Sequence, residues 1–157
     1  MKKIAVILIC ALMALPGMLK AQDYERSIGI RFGLPFGLAY KHAVGNDQAL
    51  EFIAAGTILR ELRGLTLTGL YEFHFYPFTI DGLFLYAGVG GHAGLYSANQ
   101  FGNQGTFNFG PNAIIGIEYY FYDAPVSISL DFMPTYNIFS PASYESEGAI
   151  SIRYVLE

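Results

Sequence analysis

The strongest pattern in the chain is an apolar residue at every second position, in two runs that a short turn separates. The runs lie within residues 114–134, and the turn between them is Asp123-Ala124-Pro125. Because successive side chains of a β-strand point to opposite faces, this pattern predicts a β-hairpin with one continuous apolar face. The other face carries small and hydroxylic residues together with two carboxylates, Glu118 and Asp131.

The same alternation recurs along most of the chain and predicts eight strands in all. Turn residues such as Gly, Pro, Asn and Asp separate the segments. The predicted strands are 27–34, 38–44, 48–59, 65–78, 83–96, 114–121, 126–132 and 149–156. An even number of alternating segments suits a transmembrane β-barrel, whose tilted strands need roughly 9 to 11 residues to cross a bilayer.

The positions of the charged residues decide which face of these strands meets water. Within the eight segments, every formally charged residue falls on the face opposite the apolar one. These residues are Arg31, Lys41, Glu51, Glu72, Glu118, Asp131 and Arg153. A water-soluble barrel has its apolar residues inside and its charges outside. The sequence therefore predicts an all-β fold, an eight-stranded antiparallel up-and-down transmembrane β-barrel with its charges in the lumen and its aliphatic face in lipid.

The first residues have the pattern of a secretory signal peptide. Two lysines precede an apolar run over residues 4–15, and a Pro-Gly pair and then a small residue, Ala21, follow it. The run of about 12 residues is short of the roughly 20 that a membrane-spanning helix needs. We therefore predict a cleaved signal peptide over residues 1–21 and an outer-membrane β-barrel domain over residues 22–157.

Removal of this segment changes the chemistry that the chain can carry. The only cysteine, Cys10, lies within it, so the mature chain has neither disulfides nor cysteine-ligated metals. Lys2, Lys3 and Lys20 are removed as well, which leaves 9 − 3 = 6 basic residues against 13 acidic ones and a net charge of 6 − 13 = −7. This sign disfavours nucleic acid as a partner.

The predicted connections differ in length between the two ends of the barrel. With the N-terminus in the periplasm, the short connections 45–47, 79–82 and 123–125 lie on the periplasmic side, and two long polar loops, 97–109 and 137–148, lie outside. Short inner turns and longer outer loops are typical of outer-membrane barrels. The two loops are the regions through which an extracellular ligand would bind; the alternative is that they are plain solvated connections.

The turn at 45–47 predicts one charge pair across neighbouring strands. If it is a three-residue loop, counting away from it sets Lys41 directly opposite Glu51. Both side chains point into the lumen, where pairing avoids a lone buried charge.

Strand order suggests partners for the remaining acids. Glu118 and Asp131 lie near each other on the hairpin described first, and both need cations. Arg153 on the eighth strand and Arg31 on the first strand, which become neighbours when the barrel closes, are the candidates. Glu72 has no clear partner.

Three interpretations of this lumen charge network compete. The interior of an eight-stranded barrel is just wide enough to be filled by side chains, so the network can be purely structural. It can instead form a narrow pore or small-solute channel, or the active site of a lipid-modifying outer-membrane enzyme.

The three histidines give little support to the enzyme interpretation. His42, His74 and His92 lie on three different predicted strands, and none accompanies a recognisable serine motif. His74 and His92 could join Glu72 at a metal, but their spacing is not that of a known ligand set. We therefore predict no catalytic residues, no cofactor and no metal site, and a protein that is not an enzyme.

Several segments together resemble a known group of proteins. They are SIGIRFG, GLAYKH, LTGLYEFH, YAGVGGHAG, AIIGIEYYF, APVSISLDFMP and AISIRY. In this order they resemble the small outer-membrane β-barrel proteins of Bacteroidetes-type bacteria, over nearly all of the mature chain. The resemblance implies the barrel fold and an outer-membrane location, with outer-membrane lipid and the barrel-assembly machinery as partners, and it adds little about function. From the filled lumen and the two long loops we predict a structural or surface-interaction role through the extracellular loops. It brings no catalytic residues with it.

Overall fold

A computed structural model describes residues 25–33, 35–59, 62–98, 105–138 and 144–156 of the chain. The predicted signal peptide lies outside these residues. The strands are β1 (Arg26–Gly33), β2 (Phe36–Ala43), β3 (Gln48–Leu59), β4 (Leu62–Phe75), β5 (Leu83–Ala98), β6 (Gly105–Phe121), β7 (Val126–Tyr136) and β8 (Tyr144–Leu156). Within the described ranges, no helix has the length and apolar character needed to cross a membrane.

The eight strands form one closed antiparallel barrel in sequence order. Each strand pairs with the next, and β8 pairs with β1 from Arg26 opposite Leu156 to Gly33 opposite Ala149. This last ladder removes the free strand edges, which would otherwise leave backbone groups unpaired. The predicted eight-stranded antiparallel up-and-down barrel is therefore confirmed.

The sequence pattern overestimated the length of the two loops 97–109 and 137–148. Where the sequence predicted the loop 97–109, β5 continues to Ala98 and β6 begins at Gly105. Where it predicted the loop 137–148, β8 already begins at Tyr144. Because backbone hydrogen bonds form the ladder, polar and Gly-rich sequence can extend a hairpin whose neighbouring strand supplies the partners.

The alternation inside the first of these segments supports the correction. Phe107 and Phe109 point outwards and are exposed, whereas Asn108 points inwards and is 4% exposed. Phe107 lies opposite Leu95 of β5 in the register. The period-2 pattern therefore begins at least five residues earlier than the predicted strand at residue 114.

The gap between the first two predicted strands was also too wide. The sequence pattern left residues 35–37 between strands 27–34 and 38–44, but Phe36 and Gly37 belong to β2. Phe36 points outwards and packs edge-on against Phe32, with 5.7 Å between ring centroids. β2 therefore begins two residues earlier than the predicted strand at residue 38.

The two ends of the barrel are named here by their connections. At the turn end, the connections are residues 44–47, 76–82 and 122–125, and β1 starts and β8 finishes there. In the second of these, Gly82 has φ of +81°, and a side chain there would collide with the Tyr120 carbonyl. At the loop end, the connections join β1 to β2, β3 to β4, β5 to β6 and β7 to β8.

The two faces of the barrel have opposite character. The outer face exposes large apolar side chains along every strand, among them Ile28, Leu38, Phe52, Leu67, Val89, Ile115, Leu130 and Ile152. The inner face combines buried charges with a smaller apolar cluster made of Ala39, Ile53, Ala55, Leu70, Phe84, Tyr86, Ile114, Met133 and Val155. The predicted orientation of the seven charged residues, towards the inside, is the one that the structure has.

Candidate functional site

The lumen is the place where the polar chemistry of the chain converges. All seven residues of the predicted charge network lie in it, each at most 4% exposed. They come from every strand except β5, and Tyr86 of β5 reaches the same cluster. We call Arg31, Lys41, Glu51, Glu72, Glu118, Asp131 and Arg153 the charged cluster.

Arg31 and Asp131 form a two-pronged ion pair. The guanidinium of Arg31 donates from Nη1 to Asp131 Oδ2 at 2.6 Å, and its Nη2 lies 2.6 Å from Oδ1 as an ion-pair contact. The Tyr86 hydroxyl donates to the same carboxylate at 3.2 Å. Arg31 is one of the two cations that strand order suggested for Glu118 and Asp131.

Lys41 joins two acids from other strands. Its ammonium lies 2.9 Å from Glu72 Oε2 and 3.0 Å from Glu118 Oε2, and 4.2 Å from the centre of the Tyr86 ring. The backbone register sets Lys41 opposite Glu51, as the turn length predicted. The ammonium nevertheless binds other carboxylates, because the long side chain reaches across the lumen.

Arg153 binds Glu51, the carboxylate opposite Lys41 in the register. Its guanidinium forms a close ion pair with Glu51 and a longer one with Glu118 Oε2, at 3.4 Å, and donates to Ser129 Oγ at 2.7 Å. Ser127 donates to the other oxygen of Glu118, at 2.7 Å. Arg153 is the other cation suggested for Glu118 and Asp131, while its contact with Glu51 was not predicted.

Glycines on the inner face make room for the large side chains. A methyl group at Gly116 would overlap the ring of Tyr86, its register partner on β5. A methyl group at Gly88 would lie 3.0 Å from the Glu72 side chain. An eight-stranded barrel is narrow, so glycine at these two positions lets an aromatic ring and a carboxylate enter the lumen together.

The three histidines occupy three different environments. His74 lies 3.5 Å from Glu72 and stacks on Phe84, with 4.8 Å between ring centroids. His42 is on the outer face of β2 and is half-buried. His92 lies opposite Thr68 and His74 opposite Tyr86. Thr68 and His74 are six residues apart on β4, which separates the two histidines by about 20 Å along the strand.

His92 is the centre of a second, uncharged cluster nearer the loop end. Its Nδ1 lies 2.6 Å from Asn112 Oδ1, and its Nε2 lies 2.9 Å from Asn137 Oδ1. Asn112 donates in turn to Thr135 Oγ1 at 2.8 Å. We call His92, Asn112, Thr135 and Asn137 the amide cluster.

The amide cluster was missed from the sequence. Asn112 precedes the predicted start of its strand, and Asn137 fell in a predicted loop. The inward alternation of Asn108 and Asn112 in the segment before residue 114 was the signal that could have revealed it. In the described residues, no group of three or more metal-binding side chains is present.

One further acid lies above the charged cluster. Glu147 points into the loop end of the lumen, before Ile150, where the outer apolar face of β8 begins. Burial raises the pKa of Glu147 to about 7, Arg31 opposes that shift, and the neighbouring Glu145 and Asp131 add to it.

The barrel resembles solved outer-membrane proteins. The N-terminal β-barrel domain of OprF from Pseudomonas aeruginosa matches with a TM-score of 0.68 at 13% identity, over 83% of this chain and 95% of that one. Ail, the attachment invasion locus protein of Yersinia pestis, matches with a TM-score of 0.58 at 13% identity, over 83% and 96% of the two chains. Neisserial surface protein A matches with a TM-score of 0.56 at 13% identity, over 83% and 93%.

No protein-family model and no curated protein sequence matches the chain. At 13% identity, the structural likeness concerns the fold and carries no activity or partner with it. The chain therefore has the closed eight-stranded fold of Gram-negative outer-membrane β-barrels.

Proposed function

We propose that the protein is an integral outer-membrane β-barrel with a side-chain-filled lumen, which acts as a scaffold and presents its loop end to partners outside the cell. The observation that carries the membrane location is the outer face. Leu38, Val89 and Leu130, from three different strands, are 57%, 62% and 57% exposed, as large aliphatic side chains are when lipid covers them. The buried charges on the other face complete the inversion relative to a soluble barrel.

A charge on the outer face tests the membrane location. Leu130→Arg lies near the middle of β7 and would face the hydrocarbon, so we expect a loss of roughly 2 to 4 kcal/mol of folding free energy in lipid and little heat-modifiable barrel in the outer-membrane fraction. Ala124→Arg, in the exposed connection 122–125, is the matched control and should insert normally. A Leu130→Arg protein that folds in water without detergent would overturn the proposal.

The closed lumen supports a scaffold rather than a channel. Lys41, Tyr86 and Arg153 are fully buried and contact acids from opposite sides of the barrel, so side chains fill the turn-end half of the lumen. We expect the refolded protein to give no stable conductance steps in planar bilayers. Reproducible single-channel steps would favour the narrow pore instead.

The loop end favours a surface-interaction role. β5 and β6 are the longest strands, with 16 and 17 residues, and Phe107, Tyr136 and Tyr144 are exposed on the outer face towards this end. Aromatic residues are enriched at protein interfaces. Two of the structural neighbours are named for attachment or for the surface. In this orientation the turn end faces the periplasm.

Shortening the β5–β6 hairpin tests this role without changing the barrel. Tyr96 and Thr106 are register partners, so replacing residues 97–105 with Asn-Gly closes the hairpin by a two-residue turn. We expect bacteria carrying this variant to lose adhesion to immobilised matrix and serum proteins. A Gly/Ser segment of the original length controls for hairpin length. Unchanged adhesion with both variants would remove the surface role from this hairpin.

A further inference from the structure

The buried charges of the lumen do not balance. In the described part of the chain, the buried charged residues are three cations, Arg31, Lys41 and Arg153, and four acids, Glu51, Glu72, Glu118 and Asp131. Their formal sum is 3 − 4 = −1. An uncompensated charge in a low-dielectric interior is strongly unfavourable, so the folded barrel gains by binding one positive charge there.

Two of the four acids are already compensated by cations in direct contact. Glu118 accepts from Lys41, Arg153 and Ser127. Asp131 Oδ2 accepts from Arg31 and from Tyr86, and Asp131 Oδ1, which accepts no hydrogen bond, lies 2.6 Å from Arg31 Nη2 as an ion pair. Charged donors favour the ionised form of a carboxylate, so the missing positive charge belongs elsewhere.

Glu51 and Glu72 are the remaining pair, and they lie together. They are on neighbouring strands, and Glu51 pairs with Leu70, which places Glu72 at the diagonal position on the same inner face. Each has one buried oxygen without a donor, Oε2 of Glu51 and Oε1 of Glu72. At the diagonal spacing of about 7 to 8 Å between backbones, two long side chains can reach each other.

Ionised carboxylates only accept hydrogen bonds, so a bond between two of them requires a proton. We propose that Glu51 and Glu72 bind one proton between them, as a carboxylic acid that donates to a carboxylate, and that this proton completes the charge balance of the lumen. No covalent bond other than O–H forms. The charged and titratable groups around the pair are Arg31 from β1, Lys41 from β2, Tyr86 from β5, Glu118 from β6, Arg153 from β8 and His74 on β4 itself.

His74 is the competing site for the positive charge. Its contact with Glu72 is long, at 3.5 Å, and its ring stacks on Phe84. The ring is 3% exposed, and burial in a low-dielectric interior disfavours an imidazolium there. The two neighbouring cations, Lys41 and Arg153, oppose a proton on the carboxyl pair, but the like charge of the two neighbouring carboxylates favours it, because each disfavours the ionised form of the other.

Infrared spectroscopy of the folded full chain in micelles tests the proposal at pH 9, where Glu147 is ionised. We expect one carbonyl-stretch band of a protonated carboxylic acid in the wild type, and its loss in both Glu51→Gln and Glu72→Gln. Glu147→Gln is the matched control and should keep the band.

The proposal is overturned if the wild type shows no such band at pH 9, or if the band persists in both glutamine variants. If either variant fails to fold, carbon-13 spectra of glutamate-labelled wild type decide the matter. They should show one glutamate carboxyl that stays protonated at pH 9. A charged His74 ring in nitrogen-15 spectra, together with no protonated carboxyl, would assign the charge to the histidine instead. Failure of these tests leaves the proposed membrane location unaffected, because that rests on the outer face.

Discussion

The charged cluster and the amide cluster fill the same lumen in different ways. The charged cluster draws on seven of the eight strands, and its ion pairs cross the lumen between strands that are not neighbours, such as β1 with β7 and β3 with β8. The amide cluster joins His92, Asn112 and Thr135 from three consecutive strands, with Asn137 directly after β7. The charged cluster therefore connects the whole circumference of the barrel, and the amide cluster connects one side of it.

The chemistry of the two clusters differs as much as their reach. Removing one member of the charged cluster leaves its partners as buried, uncompensated charges. Removing one member of the amide cluster leaves neutral groups without a hydrogen bond, and the cost is the desolvation penalty of those groups. We therefore expect the stability of the barrel to depend mainly on the charged cluster, and the amide cluster to act locally.

The largest expected effect is at Arg153. Arg153→Met removes the cation from both Glu51 and Glu118 and the donor from Ser129. Breaking a buried ion pair from one side costs roughly 3 to 5 kcal/mol, so we expect little folded barrel on gels that detect heat-modifiable mobility. Arg26→Met is the control, because Arg26 is exposed and its contact with Glu25 is long, at 3.9 Å. A stable Arg153→Met barrel would mean that the two clusters contribute alike.

The Arg31–Asp131 pair separates the effect of pairing from the effect of charge. We expect Arg31→Met alone to lose roughly 3 kcal/mol, because Asp131 is left charged with only Tyr86 as a donor. Arg31→Met with Asp131→Leu should recover most of that loss, since apolar side chains of similar volume leave no charge behind. Urea unfolding in micelles measures both. If the double variant loses as much free energy of unfolding as the two single variants together, the pair stabilises the barrel by more than mutual neutralisation.

The sequence predicted the inward face of all seven charges, because alternation has a period of two and a one-residue error would have exposed every charge to lipid. It also predicted that Lys41 lies opposite Glu51, since the length of a turn fixes the register. It did not predict that Arg153 binds Glu51. Arg153 is on β8 and Glu51 is on β3, and β1 and β2 lie between these two strands. Their contact therefore depends on the lumen width and on strand tilt, which alternation does not encode.

The strand extensions at the loop end show where local sequence composition fails to predict structure. Residues 105–109 combine Gly, Thr, Asn and Phe, a composition typical of loops, yet they form β6 because β5 supplies backbone partners. The amide cluster was lost with them, because His92 is a recognisable partner of Asn112 only when the strand is known to begin before residue 112. Long-range strand pairing, rather than local propensity, decided this region.

A smaller effect is expected in the amide cluster. Asn112→Ala removes the partner of His92 Nδ1 and the donor to Thr135, so we expect a loss of roughly 1 to 2 kcal/mol, with the barrel still formed. Asn46→Ala, in the exposed turn at residues 44–47, is the control. Urea midpoints in micelles give the difference. A loss as large as that of Arg153→Met would show that the amide cluster, too, supports the whole barrel.

The smallest expected effect concerns Glu147, between the two clusters. Its pKa is raised to about 7 from an ordinary value of 4.5, so the folded barrel favours the protonated form. The stabilising contribution of Glu147 is therefore complete below about pH 4.5 and is lost as the pH rises to about 7. The carboxylate is partly exposed and water screens it, so we expect the barrel to be only about 1 kcal/mol less stable at pH 8 than at pH 5 through this group.

Two glutamine variants isolate the contribution of Glu147 in urea unfolding at these two pH values. Glu147→Gln should abolish that part of the pH dependence, whereas Glu145→Gln should keep most of it, because Glu145 is exposed on the same face of the strand and burial is the first cause of the shift at Glu147. A pH dependence that survives in Glu147→Gln would place a titrating group inside one of the two clusters, and repeating the measurement with Asn112→Ala and with Glu72→Gln would show which one contains it.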